Sequence, residues 1–168
     1  MGSFYNHFQS KEELFGAAVE GALDAIGAAL DKLTEDVDDP AQVFAQSFRI
    51  TGRLHRQNVE LSKVLLHTGT TLINSDKGMV PRARRDIQAA TKAGRFTVSD
   101  LDLTMVTVLG AALGLGQLLH DHPDRDDAES ADQLTEDLLR MLGLPAAEAR
   151  EICQRPLPDG SRVLRPMP

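Results

Sequence analysis

From Ser10 onward, apolar residues recur at intervals of three and four: Leu14, Phe15, Ala18, Val19, Ala22, Leu23, Ile26, Leu30 and Leu33. Only an α-helix returns such positions to one face, so the run predicts one long amphipathic helix ending near Val37. Its start is marked too. Ser10-Lys11-Glu12-Glu13 is a capping box, in which the Ser10 hydroxyl accepts from the Glu13 backbone N–H and the Glu13 side chain reaches back to the Ser10 N–H. Aromatics make up only 4% of the 168 residues, and Ala, Leu, Gln, Glu and Arg fill the periodic stretches. That vocabulary favours helix over strand and predicts an all-α fold.

The rest of the chain repeats this pattern. Asp39-Pro40 opens a second helix, with Asp as N-cap and Pro where its missing N–H is no loss. Val43, Phe44, Phe48, Ile50 and Leu54 give it an apolar side. A helix over 60–67 is expected next, then an irregular stretch over 68–78. Pro81 opens a helix that Gly94 closes, and Ser99 caps the most apolar segment. His120 to Asp127 reads as a polar loop. A helix over 131–142 carries Leu134, Leu138, Leu139 and Leu142 on one face and ends at Gly143. Pro145 starts a short last helix through about Gln154, followed by a proline-rich tail expected to be extended. No internal repeat is present.

Between Asp102 and Asp121 no Asp, Glu, Lys or Arg occurs. The segment falls short of the about 20 apolar residues a bilayer demands and contains Thr104, Thr107 and Gln117, so it predicts no membrane span. A helix apolar all round is instead buried on more than one side. One side can meet the domain's own core and the other a second subunit.

Charge and chemistry exclude several classes. The net charge is −7, and the first fifteen residues carry one Lys against two Glu, so there is no basic footprint of a self-sufficient nucleic-acid binder. A lone cysteine, Cys153, cannot build a disulfide framework and suggests a reducing, cytoplasmic setting; its position near a helix end reads as inert. No basic segment followed by an apolar core marks a secretory signal. His120-Asp121-His122-Pro123-Asp124 holds metal-capable side chains but reads as a solvated acidic loop, and Arg82, Arg84 and Arg85 read as an exposed helix face. No nucleophile–base spacing, phosphate loop or zinc motif appears, so no enzyme, metal or cofactor is expected.

Gly2-Ser3-Phe4-Tyr5-Asn6-His7-Phe8, followed by Ser10-Lys11-Glu12-Glu13-Leu14-Phe15, resembles the end of the helix-turn-helix in tetracycline-repressor (TetR) family transcription regulators. There a G-[ST]-[FLI]-Y-x-H-F core forms the short recognition helix, and S-K-E-x-L begins the helix leading to the ligand domain. The later layout is similar as well, down to L-L-R-M-L-G-L-P at 138–145. By spacing alone, Phe4, Tyr5 and Phe8 could equally staple the start of a long helix. The resemblance implies that Phe4 and Phe8 anchor the recognition helix, while Ser3, Tyr5, Asn6, His7 and Lys11 contact DNA. It divides the chain into a recognition-helix remnant over 1–10, an effector-binding and dimerisation domain over 11–155, and a tail over 156–168. In the family two helices precede the recognition helix, whereas Met1 stands directly before the motif. A chain so cut is not expected to hold an operator by itself.

The resemblance further implies a homodimer, operator DNA for the full-length protein, and a small lipophilic effector that controls operator binding, most simply as a repressor. Gly110, Ala111, Gly114, Leu118, Leu134, Leu138 and Leu142 would form the subunit interface, an ordinary internal core being the alternative. Phe44, Phe48, Thr51, His55, His67, Ile87, Thr104 and Val108 would line the effector pocket, with His55 or His67 as a polar handle. A stand-alone dimeric helical interaction or ligand-binding protein without DNA binding is the alternative.

Overall fold

The computed structural model describes residues 10–72 and 74–159. It is all-helical: α1 (Lys11–Leu33), α2 (Pro40–Gln57), α3 (Val59–Thr68), a 3₁₀ turn (Gly69–Leu72), α4 (Met79–Lys92), α5 (Leu101–Asp121), α6 (Asp127–Met141) and α7 (Ala146–Gln154). No strand occurs among the described residues.

Local chemistry sets the helix ends. The Ser10 hydroxyl accepts from Glu13 N at 3.1 Å, and Asp39 Oδ1 accepts from Ala41 N at 3.1 Å, as the capping patterns predict. Gly94 and Gly143, at φ +75° and +106°, follow α4 and α6 in the left-handed conformation that closes a helix. Elsewhere the boundaries move. α1 stops at Leu33 rather than Val37, because Thr34 turns its N–H and hydroxyl back onto the carbonyls of Leu30 and Asp31. Asp100, not Ser99, caps α5, its carboxylate accepting from Leu103 N at 3.0 Å. α5 then continues through His120 and Asp121. α6 starts at Asp127, four residues earlier than its leucine stripe indicates, because Asp126 Oδ1 takes the Glu129 N–H at 2.7 Å. α4 begins at Met79, with Pro81 inside its first turn.

α2 is the hub and packs against α3, α4, α5, α6 and α7. Phe44, Ala45 and Phe48 on one side join Ile87, Met105, Val108, Leu139 and Ile152 in the main core, while Ile50 and Leu54 meet Ile26 and Leu30 of α1 in a second cluster. Gly52 lets α6 approach closely: a Cβ there would lie 2.6 Å from that of Ala131. The first residues of the tail are not loose, since Leu157 packs against the second cluster. Arg49, almost fully buried, ties α2 to α6 by a two-pronged pair with Asp132 (2.8 and 3.2 Å) and donates to Arg155 O at 2.9 Å.

Two features outside the core matter for function. Within α1 every buried residue lies at Leu23 or later; from Lys11 to Ala22 the helix is at most half-buried. α5, with 21 residues, is long and apolar enough to cross a membrane by length and composition. It packs on α2, α3, α4 and α6 and leaves one continuous strip exposed, containing Leu103, Val106, Gly110, Gly114 and Leu118.

Candidate functional site

Where α1, α2, α4 and α5 meet they enclose a cavity of about 80 Å³. Its walls are mostly apolar: Leu30 from α1, Phe44 and Phe48 from α2, Met79 and Ala83 from α4, Val108, Leu109 and Ala112 from α5. Phe44 stacks on Phe48 (centroids 6.1 Å apart) and meets Phe96 edge-on at 5.6 Å, which fixes that wall. Asp31, Ser47, Thr51, Arg82 and Asp86 supply polar groups. A small apolar chamber with a few convergent polar groups suits a small organic molecule whose orientation is set by hydrogen bonds.

The charged wall also joins α1 to α4. Arg82 donates from Nε to Asp31 Oδ2 at 2.9 Å and from Nη1 to Asp24 Oδ1 at 2.7 Å. Arg85 holds Asp31 Oδ1 at 2.6 Å and Asp86 Oδ1 at 2.9 Å. Gly27, between the two α1 carboxylates, has no side chain to keep the Arg82 guanidinium off the helix. Arg82 holds the Asp24 carboxyl below the usual carboxylate range; partial burial pushes Asp31 up, but Arg85 and Arg82 outweigh it and keep it low. Asp86 goes the other way: burial raises it, against the pull of Arg85. The arginine cluster expected to be an exposed face is therefore a clasp. Arg85 is nonetheless exposed, as expected of the cluster, and the half-buried Arg84 pairs with the exposed Asp102.

Of the residues expected to line an effector pocket, Phe44, Phe48, Thr51 and Val108 border this cavity. Ile87 is fully buried in the main core instead. Thr104 is half-buried, its hydroxyl donating to Asp100 O, and His67 is exposed at the end of α3. His55 is buried but committed elsewhere. On the expected subunit face, Gly110, Gly114 and Leu118 are exposed and Ala111 half-buried. α6 departs from expectation: Leu134 is half-buried, and Leu138 and Leu142 lie in the protomer's own core, because α2 and α7 cover that side of the helix. Ser3, Tyr5, Asn6 and His7 lie outside the described residues; Lys11 is exposed in the first turn of α1.

Asp31, Met79, Arg82, Asp86 and Leu109 were missed by reading the sequence for a pocket. The available signal was the register: Asp24 and Asp31 are two turns apart on α1, and Arg85 and Asp86 both lie one turn after Arg82 on α4.

His55 anchors the neighbouring corner. The Ala112 carbonyl can only accept, so His55 Nε2–H donates to it (2.9 Å), leaving Nδ1 to accept from the Ser62 hydroxyl (2.6 Å). Ser62 Oγ in turn accepts from His120 Nε2–H at 2.9 Å. Burial disfavours the imidazolium and moves His55 below its ordinary value, with His120 adding repulsion and the Ala112 contact opposing. A lowered folded-state value means the unfolded chain takes up the proton first. Stability is therefore full above the ordinary histidine value of about 6.5 and falls as pH drops through it. Urea midpoints at pH 7.5 and 5.5 are expected to fall on acidification, and to fall less in His55→Gln. A chain that gained stability on acidification would contradict this.

Comparison with known proteins agrees with the geometry. A family model described as tetracyclin repressor-like, C-terminal domain, matches residues 39–155. No curated protein matches. Among solved structures, RolR in complex with resorcinol is 36% identical, covers 94% of this chain and 78% of its own, and gives a TM-score of 0.66. RolR without ligand is 35% identical over 94% and 81% of the two chains, with a TM-score of 0.74. The family is one of regulators rather than enzymes. The chain therefore belongs to the TetR family, and its helical bundle is the ligand-binding regulatory domain of such a regulator.

Proposed function

We propose that this chain is the sensing and pairing part of a cytoplasmic, effector-responsive transcription regulator, most simply a repressor. Its effector is a small hydroxylated aromatic, and the ligand seen with the similar RolR is resorcinol. The observation that carries this reading is that α1 contributes Leu30 and Asp31 to the cavity and is held through Asp31 by Arg82 and Arg85. A hydroxyl that hydrogen-bonds Asp31, Arg82 or Asp86 competes with the bonds that set the tilt of α1. In the sequence, residues 2–8, which resemble the DNA-reading motif, come just before that helix. Ligand and operator would then favour different tilts, which is a two-state coupling. Isothermal calorimetry with resorcinol is expected to give saturable 1:1 binding and a melting temperature that climbs with ligand concentration. Absence of both at millimolar resorcinol would remove the effector class.

The partner in this reading is a second copy. The exposed strip of α5 is free of charge between Asp102 and Asp121, and Gly110 and Gly114 allow a second helix to come close. Leu103 and Val106, 65% and 52% exposed, are the large apolar groups that such a contact would cover. Sedimentation equilibrium is expected to give a dimer at micromolar concentration, and Val106→Arg a folded monomer. A wild-type monomer, or a Val106→Arg dimer, would remove this face as the interface.

A further inference from the structure

A second chamber, of about 100 Å³, adjoins the first. The two share one wall made of Thr51, Met79, Leu109 and Ala112. Beyond it, Leu23 of α1, Leu65 of α3, Leu72 of the 3₁₀ turn, Val80 of α4 and Leu113 of α5 form an apolar interior. Glu20, Ser75 and the exposed Lys77 also border this chamber, and none of the cavity's paired charges (Asp31, Arg82, Asp86) does. The polar end of the site and this apolar annex thus lie on opposite sides of one partition.

The partition is unequal. Thr51 is fastened by its hydroxyl to Ser47 O at 2.7 Å. Ala112 has only a methyl, and its carbonyl accepts from His55. Met79 stands in the first turn of α4, half-buried, with three rotatable bonds and a polarizable thioether that adapts to irregular space. It also packs against the cluster of Ile26, Leu30, Ile50 and Leu54, and a change of its rotamer would join the two chambers.

We propose that the natural effector is a hydroxylated single ring bearing a short apolar chain. The ring hydroxyls are held at Asp31, Arg82 and Asp86, and the chain passes Met79 into the chamber lined by Leu65, Leu72 and Leu113. This rests on the preceding reading of the first cavity as the effector site and adds what that reading leaves open: the specificity element is Met79, and the selected feature is the chain.

Calorimetry separates the two. Resorcinol is compared with its ethyl, propyl and butyl homologues, substituted at ring position 4 or 5, on the wild-type chain and on Leu65→Trp. Leu65→Trp fills the second chamber without touching the first; should it not melt cooperatively, Leu72→Phe takes its place. Each methylene buried in the annex is expected to tighten binding about fourfold in at least one positional series. In the filled variant resorcinol itself is expected to bind within about twofold of wild type while the series goes flat, and Met79→Ala is expected to steepen it. Resorcinol binding with a flat or falling wild-type series overturns the annex alone. So does a series that rises equally in Leu65→Trp, since the chain then lies elsewhere. Failure of resorcinol and all homologues to bind overturns the effector reading, and this inference with it.

Discussion

Gly52→Val is expected to lower unfolding stability by about 3 kcal/mol, the upper range for forcing extra carbons into a packed core. Ordinarily, replacing glycine inside a helix gains up to about 1 kcal/mol in backbone terms. Here the space decides the sign. A Cβ at residue 52 would stand 2.6 Å from the Ala131 Cβ and 3.1 Å from Leu115 Cδ2. Leu115 can rotate away, but the Ala131 methyl is fixed to the α6 backbone, so α2 and α6 must separate. That separation strains the Arg49–Asp132 pair, which crosses the same interface. Against a typical total of about 5–15 kcal/mol, such a loss is a large fraction. Thermal melts and urea titrations of wild type, Gly52→Ala and Gly52→Val give the measurement. Gly52→Ala is expected to be destabilised less, and a Gly52→Val chain as stable as wild type would show that the helices can move apart freely.

Asp86→Ala is expected to weaken resorcinol binding by about 10- to 100-fold, the equivalent of one hydrogen bond to a charged group. Asp86 borders the cavity yet is nearly buried, and both of Arg85's hydrogen bonds to it fall on Oδ1. Arg85 does not occupy its other oxygen. Because burial raises its proton affinity, Asp86 gains from a hydroxyl donor as partner. The fold should tolerate the change, since Arg85 keeps Asp31 as its ion pair. Calorimetric titration of the folded variant decides it, and an unchanged dissociation constant would place the hydroxyls elsewhere.

Helix ends marked by a single strong local signal were legible in the sequence. Ser10, Asp39, Gly94 and Gly143 act within a few residues of themselves, and the structure places each where the pattern did. Where two neighbouring candidates compete for the same amides, as Ser99 and Asp100 do, local pattern does not choose, and the carboxylate took the cap. Phe44, Phe48, Thr51 and Val108 could be named as cavity-lining because apolar spacing on α2 and α5 points inward. The charged half of the cavity was not legible. Asp31 and Arg82 are 51 positions apart, and each looks like part of a solvated face until α1 and α4 are laid side by side. Leu138 and Leu142 failed for a related reason: a leucine stripe demands cover, but nothing in its spacing says whether the cover is α2 and α7 or another subunit.

The mostly exposed stretch from Lys11 to Ala22 gives α1 a cantilever, fixed at its root by Leu23, Ile26 and the Asp24–Arg82 bond. At about 1.5 Å per residue that overhang is about 18 Å long, so a pivot of about 5° at its root carries the tip by about 1.5 Å. A displacement of about 1 Å at Asp31 is thereby magnified about one and a half times before it reaches residue 11. In a symmetric pair both tips would travel, and the distance between them would change by up to twice that amount.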